Sequence, residues 1–300
     1  MLTSLELLIS APVLNVQLLL DGIFIGAVYA LAAYGLALVW GVMNLKNLAQ
    51  GDFVIMGGYL AWMLVNLGMN PFLTLPIVAI AMFAFGWAIY RIIICRVIER
   101  DLFTSLLATF GLALVMQQIL NQIYGPEVQS INAGFDSLSI FGGMVTVAQV
   151  KLITLCITAA LAASIVCFMK MSRMGQAIRA TAQDARAARV MGINTDRVYA
   201  FTFALNSAIC GAAGVLIAMI WVIQPFYGIP YSIRAFVIVT AAGLGNLPGV
   251  ILAALGLGAA EQYAGFTLGA QLQQFTVVSL LVVVLLFKQF QRGRNRQVLQ

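Results

Sequence analysis

The stretch LNVQLLLDGIFIGAVYALAAYGLALVWG, residues 14–41, carries a single charge, that of Asp21. It is longer than the ~20 apolar residues that a helix needs to cross a bilayer. The rest of the chain has the same character, because 62% of its 300 residues are hydrophobic, 9% are charged and the mean hydropathy is +1.00. Globular chains contain roughly 25% charged residues. The sequence therefore predicts a membrane protein and excludes a water-soluble fold.

Eight further apolar runs, separated by turn residues and charges, predict additional spans. They lie near 52–68, 72–95, 102–124, 148–170, 197–223, 232–245, 248–264 and 272–290. So many spans leave little chain for a separate extramembrane domain. We expect an all-α polytopic membrane protein with about eight or nine transmembrane spans, some of them broken or re-entrant, that forms one transmembrane domain over residues 1–300.

The distribution of positive charge predicts the topology. If the N-terminus is external, all but two of the 16 lysines and arginines fall on one side of the membrane, the exceptions being Lys151 and Arg234. By the positive-inside rule that side is cytoplasmic, and it includes the loop 171–197. The net charge of +6 then belongs to several separate loops. It does not form the single basic stripe that would indicate a nucleic-acid partner.

The composition excludes several kinds of chemistry. There is no histidine, which rules out Ser-His-Asp triads and H-E-x-x-H zinc sites. The sequence contains no G-x-x-x-x-G-K-[ST] motif, so the chain has no P-loop of its own. The four cysteines stand singly in apolar stretches without a C-x-x-C pair and are interpreted as small core residues. We expect no enzyme activity, no cofactor and no metal site, and any energy for transport must come from a partner or a gradient.

Two short stretches interrupt the apolar runs in a similar way. NLKNLAQG at 44–51 and GLGNLPG at 243–249 each contain Asn-Leu followed by Gly and then open a small-residue helix. Interrupted segments in corresponding halves of a membrane chain indicate a transport pathway, because unwound backbone is tolerated at depth only where protein or water satisfies it. The alternative is two ordinary cytoplasmic turns. The candidate pathway residues here are Asn44, Asn47, Gln50, Asp52 and Asn246.

Glu261 is the acid that stands out in the C-terminal half, because it lies near the end of an otherwise apolar run. An ionisable group inside a membrane costs about 2.5–3.5 kcal/mol at the helix centre and less near the interface. Two interpretations remain open for this residue: a position at headgroup level, or a gate or pathway acid. We include it in the candidate pathway.

The loop 171–197 reads MSRMGQAIRATAQDARAARVMGINTDR and predicts a cytoplasmic helix. Ser172 can cap its start, the alanines favour helix, and Gly192 suits the C-terminal turn. Arg179 and Arg186, seven positions apart, share a face. The loop is either a docking surface for a cytoplasmic partner or a solvated, positively charged loop.

Three blocks of the chain resemble the permeases of branched-chain amino acid ABC transporters. They are GVMNLKNLAQGDFVIMGGYLA at 41–61, GQAIRATAQDARAARVMGINTDRVYAFTFALNSAICGAAGVL at 175–216 and AFVIVTAAGLGNLPGVILAALGLGAAEQ at 235–262. They resemble, in order, the segment after that family's first span, its cytoplasmic loop with the following helix, and its C-terminal broken-helix region. The resemblance extends over the whole chain.

The resemblance implies a subunit of an importer in a bacterial inner membrane. Its partners would be a second homologous permease, two cytoplasmic ATP-binding subunits and a periplasmic substrate-binding protein, beside membrane lipid. A helix at about 175–191, continuous with the next span, would be the coupling element. Permeases of this class carry an E-A-A-x-x-x-G signature, which this chain matches with Arg in place of Glu. The implied coupling residues are Arg179, Asp184, Arg186, Ala187, Ala188 and Gly192.

The chain also departs from the family's pattern. Gln50-Gly51 stands where relatives often have His-Gly, and Ala242-Gly243 stands where they have Gly-Gly. The leading expectation is transport of branched-chain amino acids. Permeation of urea, amides or other small carboxylates is the alternative within the family, and a gradient-driven secondary transporter that acts alone is the alternative outside it.

Overall fold

The computed structural model describes residues 10–98, 100–134, 137–140, 145–243 and 245–297. Nearly all of this chain is helical. The helices are α1 Pro12–Met43, α2 Gln50–Asn66, α3 Pro71–Val97, α4 Leu102–Tyr124, α5 Gln149–Met171, α6 Arg173–Gln183, α7 Ala185–Val190, α8 Thr195–Ile220, α9 Gly228–Ala242, α10 Leu247–Leu268 and α11 Ala270–Gln297. A π-helical turn, Tyr90–Ile94, interrupts α3.

Six helices of the described residues are long and apolar enough to cross a membrane, namely α1, α3, α4, α5, α8 and α10. The expected count of eight or nine spans is therefore not confirmed. The runs 52–68 and 232–245 form α2 and α9, which have 17 and 15 residues and fall short of the ~20 that a full crossing requires. The run 272–290 lies in α11, where Gln271–Leu286 is the apolar part. The fold is a multi-pass helical bundle that contains two shorter apolar helices.

The expectation of an all-α fold is wrong in one place. Strands β1, Ser137–Ile140, and β2, Val145–Ala148, pair antiparallel with Ser137 opposite Ala148. This hairpin leads into α5 from the loop that the charge distribution places outside. Strands of four residues are too short to give the long apolar runs that predict membrane spans, so the sequence pattern did not indicate this hairpin.

Small residues bring the central helices into close contact. A Cβ added to Gly22 of α1 would lie 2.5 Å from the Cα of Ala259 on α10, and one added to Gly57 of α2 would lie 2.4 Å from the Cα of Gly211 on α8. Small interface residues are how membrane helices gain van der Waals contact, since lipid gives no hydrophobic drive for association. Helices α1 and α8 consequently form the buried centre of the bundle.

Candidate translocation and coupling sites

Helix α2 begins inside the bundle. The Nε2 of Gln50, its first residue, donates to the carbonyl of Ala32 at 2.7 Å and to Oδ1 of Asn206 at 2.9 Å. Ala32 precedes the end of α1 by 11 residues, which corresponds to about 16 Å at the helical rise. Residues 44–49 therefore run back from the end of α1 into the interior before α2 starts. The first interrupted stretch is a broken helix, and the alternative of an ordinary surface turn does not describe it.

Helix α9 begins at the same place as α2. The amide of Gly51 donates to Oγ of Ser232 at 2.8 Å, and that hydroxyl donates to the carbonyl of Leu48, also at 2.8 Å. A Cβ on Gly51 would lie 1.8 Å from the carbonyl oxygen of Gly228, the first residue of α9. The N-terminal ends of two short helices thus meet inside the bundle. Broken helices with ends at depth form the substrate sites of several transporter folds.

Asp52 lies at this meeting point and is 1% exposed. Its Oδ1 accepts a hydrogen bond of 2.9 Å from Nε2 of Gln117 on α4 and lies against Gly228, where a Cβ would be 1.9 Å away. Its Oδ2 has no hydrogen-bond partner among the described residues. Helix N-termini carry partial positive charge and favour a carboxylate. The carboxylate is therefore held by one amide and two helix ends, with one oxygen available for another group.

The other predicted pathway residues lie in different surroundings. Asn47 is fully buried, accepts from the amide of Ala49 at 3.2 Å and contacts the side chain of Gln50. Asn44, with a left-handed backbone at φ 53°, and Asn246 are both exposed. Asn246 caps α10 by accepting from the amide of Gly249 at 3.1 Å. The structure brings Asn47, Gln50 and Asp52 together and leaves Asn44 and Asn246 at the surface.

Glu261 forms a buried ion pair with Arg234. Nε of Arg234 lies 3.1 Å from both carboxylate oxygens and a second guanidinium nitrogen also donates to Glu261, while the two side chains are 14% and 1% exposed. The guanidinium stands over the rings of Tyr29 and Tyr231 at 5.3 and 5.8 Å. Glu261 does not reach the surface of the chain. The pair joins α9 to α10.

The two exceptions to the positive-inside pattern are both neutralised. Arg234 pairs with Glu261, and Lys151 lies 2.6 Å from Asp21. A cation outside the cytoplasmic face needs a counter-charge or water, so each exception pointed to an acid elsewhere in the chain. Sequence reasoning did not draw that conclusion for Arg234. It also missed Gln117, which stands among apolar residues of α4 and gave no periodic signal.

The loop 171–197 forms two helices where one was expected. Ser172 caps α6 by accepting from the amide of Gly175 at 2.8 Å, as predicted. The chain then breaks at Asp184, whose carboxylate accepts from the amides of Arg186 and Ala187 at 2.8 and 3.0 Å. These backbone hydrogen bonds lower the pKa of Asp184 below its ordinary value. Asp favours a cap over a helix interior because its side chain competes for backbone donors.

The joint between α7 and α8 is a capped turn at Gly192, as predicted, and it leads directly into the next span. Gly192, at φ 84°, donates to the carbonyl of Arg189, and Ile193 donates to that of Ala188, both at 3.0 Å. This is a Schellman motif. On the other side, Asn194 caps α8 by accepting from Arg197 at 3.0 Å. The turn is tightly fixed from both ends.

The start of α8 is tied to α3. Asp196 accepts from Arg91 at 2.7 Å and from the hydroxyl of Tyr90 at 2.8 Å. Both partners lie in the π-helical turn of α3, and such turns occur frequently at functional sites. Among the predicted coupling residues, Arg179, Arg186, Ala187 and Gly192 are exposed and Ala188 is buried.

Comparisons with known proteins agree with this architecture. A family model described as branched-chain amino acid transport system / permease component matches residues 18–287. The high-affinity branched-chain amino acid transport system permease protein LivH of Salmonella typhimurium is 30% identical over 286 residues, covering 90% of this chain and 92% of its own. The corresponding permease protein BraD of Pseudomonas aeruginosa is 28% identical, covering 91% and 93%.

A solved structure shares the fold. PsaBC from Streptococcus pneumoniae in complex with Fab contains a chain that aligns with a TM-score of 0.51 and 14% identity, covering 88% of this chain and 89% of that one. At this identity the likeness concerns the fold alone. The family match covers nearly the whole chain. This protein therefore belongs to the family of permease components of branched-chain amino acid transport systems.

Proposed function

We propose that this chain is the membrane permease subunit of an ATP-driven, binding-protein-dependent importer of branched-chain amino acids in a bacterial inner membrane. Its partners are a second homologous permease, two cytoplasmic ATP-binding subunits and a periplasmic substrate-binding protein. The observation that carries the proposal is the meeting of the α2 and α9 N-termini at the buried Asp52, in a chain of this family.

The chemistry of this meeting point suits an amino acid in transit. Asp52 already occupies the positive field of the two helix ends, so a substrate carboxylate gains little there. The free Oδ2 can instead accept from the ammonium group of the substrate. Asp52 is 1% exposed, so contact requires α2 and α9 to move. One charged contact is weak enough to release the substrate, which leaves selectivity mainly to the binding protein.

The remaining pathway residues act in support of Asp52. Asn47 and Gln50 hold the broken segment inside the bundle through side-chain hydrogen bonds. Asn44 and Asn246 present exposed amides at the ends of α1 and α10. Glu261, paired with Arg234, fixes the position of α9, whose first turn closes over Asp52.

The coupling segment, α6 and α7, transmits motion from the ATP-binding subunits. Its capped turn at Gly192 leads directly into α8, and α8 contacts α2 so closely that a Cβ on Gly214 would lie 2.0 Å from the carbonyl of Val54. Packed elements with such contacts move as rigid bodies. A displacement of α7 is thereby passed through α8 to the half-helix that carries Asp52.

Charge reversal at Arg186 tests the coupling role. Arg186 is exposed and its side chain makes no hydrogen bond among the described residues, so Arg186→Glu leaves the fold intact. We expect the assembled importer to lose most ATP-driven uptake of radiolabelled leucine in proteoliposomes. Arg100→Glu, a reversal of the same size at an exposed position outside the coupling segment, is the control and should retain uptake. Equal activity of both variants would defeat the docking assignment.

Asp52→Asn tests the pathway and the substrate class together. The change keeps the shape of the side chain and removes its charge, so uptake of leucine should fall at least tenfold while the subunits still co-purify. Glu127→Gln, at an exposed loop acid, is the control. If the unmodified importer carried urea and not leucine, and Asp52→Asn kept that uptake, the permeant in the pathway would not need an ammonium contact. Uptake abolished by an ionophore but indifferent to ATP depletion would instead identify a gradient-driven transporter.

A further inference from the structure

A groove between α1 and α5 holds two neighbouring cavities, and Asp52, Gln50 and Asn47 do not line either of them. The upper cavity has a volume of about 560 Å³ and is lined by apolar residues such as Ala27, Leu31, Ala162 and Leu255. The lower cavity has about 550 Å³, and Val166 lines both. A void of about 150 Å³ suffices to bind benzene. The two cavities are therefore neighbours, and each is large enough to take part of a hydrocarbon chain.

The two ends of the groove differ in charge. Lys170 and Arg179 line the lower cavity, beside Trp40 and Asn44. The ammonium of Lys46 stands 5.4 Å from the Trp40 ring. The upper cavity contains no charged lining residue. One end therefore favours an anion, and the other favours an apolar chain.

The ammonium of Lys170 has no hydrogen-bond or ion-pair partner among the described residues, and its side chain is exposed. It continues a stripe on α5 formed by Ala159, Ala163 and Cys167, all exposed in the isolated chain. Residues three, four and seven apart lie on one face of a helix, so the cation and the apolar wall face the same neighbour. All four positions are exposed, so this face is open to a neighbouring molecule.

The groove is longer than the hydrocarbon part of one lipid leaflet is deep. Leu155 and Lys170, which line its two ends, are 15 residues apart on α5, or about 22 Å at the helical rise. Half of a hydrocarbon core of about 30 Å is ~15 Å. A chain whose headgroup lies at Lys170 can therefore extend through the whole depth of its leaflet within the groove.

The transported solute does not suit the upper cavity. Its lining contains no charged side chain that could pair with an amino acid. The hydroxyls of Tyr34 and Thr158 are uncharged, and they have no hydrogen-bond partner among the described residues. An amino acid zwitterion would have to give up the hydration of two charges, and each unpaired charge in a low-dielectric site costs several kcal/mol. An acyl chain gives up no such hydration. The apolar walls thus discriminate in favour of lipid.

We propose that this groove binds one anionic phospholipid of the cytoplasmic leaflet, with its phosphate at Lys170 and Arg179 and an acyl chain in the apolar cavity between α1, α5 and α10. Basic pockets between membrane helices on the cytoplasmic side bind anionic headgroups in this way. The lipid packs between α5 and α1 next to the start of α6, and it thereby restricts the motion of the coupling segment, α6 and α7.

Quenching of Trp40 fluorescence by brominated lipids tests the proposal. In the full-length chain with Trp62, Trp87 and Trp221 replaced by Phe, Trp40 is the reporter. The protein is reconstituted in vesicles of phosphatidylcholine or phosphatidylglycerol, brominated in the upper part of the acyl chains. We expect brominated phosphatidylglycerol to quench Trp40 several-fold more effectively per lipid than brominated phosphatidylcholine. Equal quenching by the two lipids would overturn the proposal.

Two matched pairs of variants locate the site. Lys170→Gln should weaken the preference for phosphatidylglycerol about fivefold, since a basic residue near the surface contributes about 1 kcal/mol, whereas Arg173→Gln, with the same change in charge outside the groove, should not. Ala162→Phe fills the upper cavity and should reduce quenching by either lipid. Ala160→Phe, at an exposed position that does not line it, should not.

Other occupants of the groove give distinct results. If a second permease chain covered the groove, neither lipid would quench Trp40, and the proposal would be overturned. If the groove held the transported solute, leucine would relieve the quenching in proportion to its concentration, which would also overturn it. Neither measurement depends on uptake, so failure of the importer assignment would leave the test of the lipid site unchanged.

Discussion

Replacing Glu261 with glutamine would leave the guanidinium of Arg234 buried without its counter-charge. The pair is bidentate and only 14% and 1% exposed, so solvent screens it little. Removing one partner of a buried pair costs about 3–5 kcal/mol. The rings of Tyr29 and Tyr231 partly compensate the remaining cation, because each cation–π contact contributes about 0.5–2 kcal/mol. We therefore expect Glu261→Gln to lower the free energy of unfolding by about 3 kcal/mol, the lower end of that range.

The double variant Arg234→Met with Glu261→Leu should behave differently. Replacing both charges with apolar side chains of similar volume is often neutral or stabilising by about 1–4 kcal/mol, because neither ion then has to be desolvated. We expect its free energy of unfolding to lie within about 1 kcal/mol of the unmodified protein. A double-mutant cycle, completed by Arg234→Met alone, separates the interaction between the two residues from their individual contributions.

The assay is equilibrium unfolding in mixed micelles with increasing dodecyl sulfate, followed by tryptophan fluorescence. If Glu261→Gln costs less than about 1 kcal/mol, well under the range for buried pairs, the carboxylate is hydrated and not buried as described. If the double variant is as unstable as the single one, lost packing and not an unpaired charge is the cause. Leucine uptake by the stable double variant then distinguishes a pathway acid, whose removal abolishes uptake, from a purely structural pair.

Three further predictions concern the close contacts and caps. Gly57→Ala should destabilise the protein by about 1–3 kcal/mol, since its Cβ would lie 2.4 Å from a Cα of α8. Gly111→Ala is the control and should not destabilise the protein, because the space around Gly111 is open. The unfolding assay described above compares the two variants. Gly192→Ala places Ala in a left-handed conformation at a cost of about 1–2 kcal/mol, so amides of the α7–α8 turn should exchange hydrogen faster, and unchanged exchange would contradict the cap. Gln50→Leu should lower stability by about 1–3 kcal/mol, because it removes the amide that bridges α1 and α8 and leaves Oδ1 of Asn206 with only the weak thiol donor of Cys210. An unaltered unfolding midpoint would show that this bridge does not stabilise the bundle.

Several elements could be predicted from the sequence because one local property specifies each of them. The run 102–124 coincides with α4, and 148–170 with α5 to within one residue, because an apolar run of that length has no stable alternative to a membrane-spanning helix. The cap at Ser172 and the turn at Gly192 were predicted from their side chains, which satisfy helix ends through local hydrogen bonds.

The sequence contains the capping residue that breaks the helix, Asp184. The high helix propensity of the surrounding alanines outweighed this signal in the prediction. Helix propensities differ by less than about 1 kcal/mol per residue, and a cap contributes a similar amount. The summed helix propensity therefore predicted one helix. In the structure the two backbone hydrogen bonds to Asp184 divide this segment into two helices, α6 and α7. Local terms of similar size cannot be ranked without the three-dimensional contacts.

By itself, the sequence determined that this protein lies in a membrane, where most of its helices are, and which loop carries the basic face. Only the tertiary structure decided that α2 and α9 start inside the bundle, that Asp52 meets Gln117 from 65 residues away, and that Arg234 neutralises Glu261. The physical reason is that hydropathy measures a segment's preference for an apolar environment. Hydropathy does not report how deep inside the bundle a segment starts. The apolar surroundings of α2 are the glycines of α8, not lipid.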